Sequence, residues 1–301
     1  MKSFSNSSLL QFAFQRNRDK VSMFFDHLPQ QGFICAHRGA RSIAPENTLL
    51  SLDKALQCGA HCWETDVQIT RDKELIIFHD SDLKRTTNIA THEMFCTRKE
   101  DRVEQFTLEE LRKLDAGSWF LSDDPFGTVA SGEVLDSERN TISKQQIPLL
   151  REVLRFSKEH SFPVNIEIKS LDTPPGDVDI VDRIIEMIEE TGTMDLLLLS
   201  SFRHEYLHRA RTLSKDIAIA VLAKDQHPEN LIPYLQSFSA AAYHPGGRIC
   251  DTETILELQK SGFRVNSWTI NGKKRAEELL NAGVGIITDW PQNLLTLTEK
   301  E

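Results

Sequence analysis

Residues 33–80 read FICAHRGARSIAPENTLLSLDKALQCGAHCWETDVQITRDKELIIFHD. Phe33 to Ala36 is a short apolar run ending at His37, Arg38 and Gly39, which predicts a buried strand running into a loop. Pro45 to Cys58 then carries Leu49, Leu52, Ala55 and Leu56 at helical spacing, with Asn47 as the candidate N-cap and Gly59 as the stop. Cys62 to Ile69 is predicted as a second strand, and Leu75 to Phe78 either pairs beside it or extends from it. Strand, helix and strand in that order is the repeating unit of α/β folds.

The same rhythm returns from Pro148 onward. Strands are predicted at Val164 to Ile168, Leu196 to Ser200, Ile217 to Leu222, Ala240 to Tyr243, Arg264 to Trp268 and Gly285 to Thr288. Amphipathic helical stretches such as Asp179 to Glu190 and Thr252 to Lys260 separate them. Six strands and the two early ones give eight units, the number that closes a (β/α)8 TIM barrel. A doubly wound open sheet would more usually need about five or six. Between Asp80 and Gln146 the rhythm breaks, leaving one clear helix, Thr107 to Leu114, opened by the capping-box pair Thr107 and Glu110. That span, about 80–146, reads as an insertion after the second strand. Residues 1–32 read as an N-terminal helical extension, with a helix from Leu9 to His27, leading into a barrel domain at 33–301.

Composition limits what the barrel can do. A chain of 301 residues with 35 basic and 45 acidic side chains has a formal charge of -10, which argues against a general nucleic-acid binder. Any phosphate site must then be a local basic pocket. The Cys residues at 35, 58, 62, 96 and 250 form no CxxC pair, so buried free thiols are expected rather than a disulfide framework or a zinc site. The first 26 residues are too interrupted by polar side chains for a signal peptide, and no run reaches the roughly 18 apolar residues of a membrane span. A cytoplasmic protein is the expectation.

Catalytic groups of such barrels sit at the carboxyl ends of strands. His37 and Arg38 follow the first predicted strand, and Glu64 and Asp66 lie on the second, with His79 beyond its extension. Glu167 and Lys169 close the third, and Trp268 closes the seventh. Glu64 and Asp66 share a face of their strand, and Glu167 could complete an oxygen cage suited to Mg²⁺ or Ca²⁺. The competing reading is ordinary ion pairing at the rim. His37 and His79 can divide the roles of general base and acid. Arg38 offers a planar fork to phosphate oxygens and Lys169 a point charge, while Trp268 could stack on a small polyol or simply cap the barrel.

HRGA at 37–40, PENT at 45–48, Glu64 and Asp66, then HD at 79–80 followed by LKRTTN resemble the glycerophosphodiester phosphodiesterase family. FTLEELRKLDAGSWF at 106–120, IPLLREVL at 147–154, NIEIK at 165–169, VNSWTIN at 265–271 and ITDWP at 287–291 continue the likeness. The resemblance implies a TIM-barrel hydrolase that uses a divalent cation to cleave glycerophosphodiesters to sn-glycerol 3-phosphate and an alcohol. It implies His37 and His79 as the catalytic pair, Glu64, Asp66 and Glu167 as metal ligands, and Arg38 and Lys169 as phosphate contacts. Glu46 and Asn47 would brace the HRG loop, and the insertion would cover the barrel mouth and choose the headgroup. The implied chemistry is attack by the glycerol 2-hydroxyl with a cyclic phosphate as intermediate. A lysophospholipase D-like action would need an apolar groove, for which Met94, Phe95 and Val103 or Phe120, Leu121 and Phe126 are candidates. A non-catalytic scaffold would not need the His, carboxylate and Arg set. Headgroup, the choice of ion and oligomeric state stay open.

Overall fold

The structure, a computed structural model, describes residues 23–171 and 176–298. In chain order the elements are α1 (Met23–Asp26), β1 (Ile34–His37), α2 (Leu49–Gln57), β2 (Cys62–Ile69) and β3 (Leu75–Ile77). The insertion supplies α3 (Leu108–Leu111), α4 (Ser118–Asp123) and α5 (Arg139–Ile142). There follow α6 (Leu150–His160), β4 (Val164–Ile168), α7 (Gly176–Thr191), β5 (Leu197–Ser201), α8 (His204–Leu213), β6 (Ala218–Ala223) and α9 (Leu231–Ser237). The chain continues through β7 (Ala242–Pro245), α10 (Thr252–Lys260), β8 (Arg264–Ser267), α11 (Lys273–Asn281), β9 (Gly285–Thr288) and α12 (Pro291–Leu294).

Strands β1, β2 and β4 to β9 run parallel, and β1 pairs with both β9 and β2, so the ring closes as the (β/α)8 barrel that the strand spacing predicts. Strand β3 stands outside that ring. The lower part of β2 pairs with β1 through Cys62, Trp63 and Glu64, whereas its upper part, Val67 to Ile69, turns back into an antiparallel hairpin with β3. Residues 75–77 therefore neither join the barrel nor simply lengthen β2. The hairpin carries the chain above the rim, where the insertion begins.

Local chemistry explains where elements start and stop. Helix α2 opens not at Asn47 but at Thr48, whose side chain accepts from the Ser51 amide while Ser51 reciprocates, a capping box. Asn47 itself sits at φ 56, outside helical space, and turns its amide toward β2. The helix ends before Gly59, whose φ of 85 suits a residue without a Cβ. Strand β7 begins at Ala242 rather than Ala240, because the Ala240 amide donates to the Leu235 carbonyl and finishes the turn after α9. Helix α3 keeps the Thr107 and Glu110 capping box but lasts only to Leu111. Of the helix expected over Leu9 to His27, residues up to 22 lie outside the described part, and Met23–Asp26 is helical.

Two layers of packing hold the ring. Outward-facing Ile219, Val221, Ile166 and Val164 meet the helices in one apolar cluster with Leu52, Leu207 and Ile184. Each such side chain contributes roughly 1.5–3 kcal/mol on burial. Inside the barrel, Ala218, Ala220 and Ala242 are small, and the space they leave is filled by Phe24, Phe25 and Phe33. The residues just before β1 thereby plug the end of the barrel opposite its strand carboxyl termini. Gly285 is part of this fit, since a Cβ there would approach Phe33 Cζ and Asn266 Oδ1 to 2.5 Å. The five cysteines are all free; Cys35, Cys62 and Cys250 are buried as expected, but Cys96, in the insertion, is exposed.

His244 on β7 is fully buried in the same interior, where Asn266 Nδ2 donates to its Nε2 at 2.8 Å. Burial pushes its imidazole down to about 3. Between pH 6.5 and 3 the unfolded chain holds a proton here that the folded chain lacks, so stability falls as pH falls, by ~1.4 kcal/mol per pH unit from this group. Urea unfolding of wild type and His244→Gln at several pH values between 6.5 and 4.5 is expected to give a slope shallower by close to one proton in the variant; equal slopes would show that His244 takes up a proton in the folded state.

Candidate active site

The carboxyl ends of β1, β2 and β4 bring the first set of groups together. Register places His37 beside Glu64 and Asp66 beside Glu167 on neighbouring strands, and alternation points these side chains into the barrel mouth. One oxygen from each of Glu64, Asp66 and Glu167 lies within 4.8 Å of the others. Glu64 and Asp66 are buried, and Glu167 is half-buried. Three hard oxygen donors with neither Cys nor His among them fit Mg²⁺ or Ca²⁺ better than zinc.

Such crowding has an electrostatic signature. Burial first, then the charges of Asp66 and Glu167, push Glu64 well above the usual carboxylate range. Burial acts on Asp66 as well, yet Lys169, His79, Arg38 and the Asn47 amide hold it well below. Lys169 Nζ lies 2.7 Å from Glu167 and 3.4 Å from Asp66, so it bridges two of the three carboxylates. Asn47 Nδ2 donates to Asp66 at 2.8 Å and its Oδ1 accepts from Thr65, which locks the amide on β2.

His37 closes β1 with its Nδ1 2.6 Å from Asp289 Oδ1 and its Nε2 3.9 Å from Glu64. Burial, reinforced by the Arg38 charge, pushes the imidazole down to about 4 against the pull of Asp289. Asp289 stays a carboxylate: burial opposes this, but the His37 bond, Arg41 and Asn271 bring it down to about 2. Neutral His37 therefore carries its proton on Nδ1 and turns a lone pair on Nε2 toward the carboxylates. His79 is fixed in a parallel way, its Nδ1 2.5 Å from Asp80, whose other oxygen accepts from Arg85 Nε at 2.6 Å.

A single buried carboxylate ties this rim together. Glu46 accepts from Arg38 at 2.8 Å, from Arg41 at 2.6 Å and from both terminal nitrogens of Arg85 at 2.7 and 3.0 Å. Burial opposes its ionisation, yet Arg38, Arg85 and Arg41 hold it well below the usual range. Arg38 occupies a left-handed backbone position, φ 54, in which its amide donates to Glu64 at 3.0 Å. Gly39 follows at φ 79, where a Cβ would lie 2.5 Å from Ser51 Oγ, so α2 can pack directly under the loop. Arg85 comes from the insertion, so Glu46 also fastens the insertion to the site. Thr128 adds a second tie, donating to the Ser42 carbonyl at 2.6 Å.

All the sequence-derived residues thus surround the strand ends, with differences in detail. Glu46 and Asn47 do brace the HRG loop, but Asn47 holds Asp66 as well. Trp268 lies just past the end of β8, bonded through its indole N–H to the His244 carbonyl at 2.9 Å and edge-on to Phe202 at 5.3 Å. Asp289, Asn271, Arg41 and Arg85 were not anticipated. Asp289 did carry a signal, because it immediately follows a predicted strand, and the strand-end rule applied to β9 finds it. Asn271, which donates to Asp289 at 2.7 Å, carried none.

An eight-stranded parallel barrel with three clustered carboxylates, two braced imidazoles and several cations at its strand ends has the make-up of a hydrolase active site. The sequence profile of the glycerophosphoryl diester phosphodiesterase family matches residues 37–293, and the chain belongs to that family. It is 34% identical over 271 residues to a glycerophosphodiester phosphodiesterase of Caldanaerobacter subterraneus, covering 89% of this chain and 98% of that one. A Bacillus altitudinis enzyme of the same name is also 34% identical, over 273 residues, with the same coverage of 89% and 98%. Among solved structures, an Oleispira antarctica phosphodiesterase in complex with the product sn-glycerol-3-phosphate superposes with a TM-score of 0.74 at 27% identity, over 92% of this chain and 99% of that one. No helix among the described residues is long and apolar enough to cross a membrane.

Replacing Glu46 by Gln leaves three guanidinium groups converging on a neutral amide. The variant is expected to lose about 3 kcal/mol of stability, seen as a lower urea midpoint at unchanged m-value; a midpoint within error of wild type would show that the clamp does not hold the rim.

Proposed function

We propose that this enzyme hydrolyses a water-soluble glycerophosphodiester to sn-glycerol 3-phosphate and an alcohol, with His37 and His79 as the acid and base pair. The observation that supports this is the bracing of both rings through Nδ1, by Asp289 and Asp80, with His37 Nε2 3.9 Å from Glu64 and the His79 charge acting on Asp66 and Glu167. The Nε2 atoms are then the groups that can accept and give protons at a bound phosphate. Arg38 and Lys169 stand at the edge of the carboxylate cluster and suit the phosphate's charge.

His37 takes the proton from the glycerol 2-hydroxyl, and its oxygen bonds to phosphorus. As the bond from phosphorus to the departing alcohol breaks, His79 gives that oxygen a proton. The cyclic phosphate is opened in the reverse sense: His79 takes a proton from water, the water oxygen bonds to phosphorus as the bond from phosphorus to the 2-oxygen breaks, and His37 returns a proton to that 2-oxygen. Asp289 and Asp80 hold the tautomers that this exchange needs. A divalent cation held by Glu64, Asp66 and Glu167 would polarise the phosphoryl oxygen.

The apolar residues that a lysophospholipid groove would require are largely consumed within the insertion. Phe95 and Val103 belong to one buried cluster with Phe106 and Leu111, and Phe120 to another with Val134 and Ile142. Met94 alone of those residues is strongly exposed, at 56%. This favours small soluble diesters over lipids as substrates.

Phosphate monoester release from glycerophosphocholine, glycerophosphoethanolamine and lysophosphatidylcholine is expected only for the first two, and to cease in EDTA. His37→Ala and His79→Ala are each expected to lower kcat by roughly 10² to 10⁴; wild-type turnover in both would end the assignment, and full activity in EDTA would end the metal role.

A further inference from the structure

Beside the catalytic rim, over the ends of β6, β7 and β8, lies an open groove of about 610 Å³. Trp268, Ile270 and Asn271 form one wall, and Lys224, Gly246 and Arg248 the other. The groove adjoins the site at Asn271, which lines it and whose side chain donates to Asp289, the carboxylate that holds His37. Its narrow side depends on Gly246, where a Cβ would lie 2.5 Å from the Lys224 carbonyl.

The cations here differ from those around the carboxylate cluster. Arg38, Arg41, Arg85 and Lys169 are each engaged by carboxylates 2.6–2.8 Å away. Lys224 and Arg248 are exposed and form no ion pair among the described residues. Arg275, which also lines the groove, is shared between Glu278 and the Cys250 carbonyl, and the groove's one carboxylate, Asp225, pairs with none of the three. In a chain with a formal charge of -10, unpaired positive charge over the strand ends of the same barrel is available to a ligand.

Of the two arms of a glycerophosphodiester, the glycerol arm is neutral and gains nothing from a cation. We infer that the groove receives the departing alcohol and favours one that carries its own anion, a phosphate monoester or second phosphodiester, which Lys224 and Arg248 contact. This inference rests on the phosphodiesterase reading and adds a substrate class to it. Lys224 presents a mobile point charge and Arg248 a planar fork, a combination suited to phosphate oxygens.

The test compares kcat/KM for glycerophosphoglycerol with that for the same diester bearing a phosphate on the departing glycerol. The wild type is expected to prefer the phosphorylated substrate about tenfold at low salt, and less as salt screens the exposed charges. Lys224→Gln combined with Arg248→Gln is expected to abolish the preference while turnover of glycerophosphoglycerol stays within about twofold. Equal kcat/KM for the two substrates in wild type, or a double variant that retains the preference, overturns the inference while leaving the phosphodiesterase intact. A double variant that loses both activities together marks the two cations as structural and overturns it as well. Absence of turnover on both substrates in wild type would instead remove the reading on which it rests.

Discussion

Three carboxylates held within 4.8 Å of one another are a cost that the rest of the rim is arranged to offset. Glu64 and Asp66 cannot move apart, since both are set on β2, and Glu167 is fixed opposite Asp66 by the strand register. Lys169 and Arg38 supply the nearest compensation, and Asn47 orients the central carboxylate. Bringing Arg38 in creates a second problem, which Glu46 solves by collecting Arg38, Arg41 and Arg85 around one buried charge. The result is an alternating layer of charges in which few groups can be changed alone. Divalent cation binding would relieve the same repulsion directly.

That network also explains how a sheet and an insertion act as one unit. Arg85 reaches Glu46 from the insertion, and Arg41 reaches Asp289 from the loop after β1 at 3.3 Å. Asp289, at the end of β9, then holds His37 at the end of β1. The first and last barrel strands are thus joined twice, by the backbone ladder that closes the ring and by the side chains that orient the His37 ring. Closure of the barrel and preparation of the histidine are the same structural event. The opposite half of the rim, over β6 to β8, carries little of this charge network and is left open as a groove.

Where prediction from local pattern worked, the cause was local. Val164–Ile168 and Gly285–Thr288 are strands at the expected residues because the first alternates Val164, Ile166 and Ile168 with polar Asn165 and Glu167, and the second carries the β-branched pair Ile286 and Ile287 up to the polar Thr288 and Asp289. Where it slipped, a nonlocal or stereochemical term decided. Asn47 is a plausible cap by composition, but its left-handed backbone and its bond to Asp66 remove it from that task. Leu75 to Ile77 could have joined the barrel by pattern alone, and only the crossing of the chain above the rim made it an antiparallel partner of β2. Phe95, Val103 and Phe120 looked available for a lipid because a linear pattern does not say what lies beside an apolar side chain.

By itself the sequence determined the number and order of the strand and helix units, the placing of His37, Glu64, Asp66, His79, Glu167 and Lys169 at strand ends, and an acidic balance that confines positive charge to particular places. These follow from periodicity and composition, which act over a few residues at a time. Only the tertiary structure decided which groups touch. Asp289 is 252 residues from His37 and Arg85 is 39 from Glu46, and no local pattern encodes those contacts. They arise because a parallel barrel returns every strand's carboxyl end to one rim, so that residues remote in the chain share a single low-dielectric site where an unpaired charge is too costly to leave.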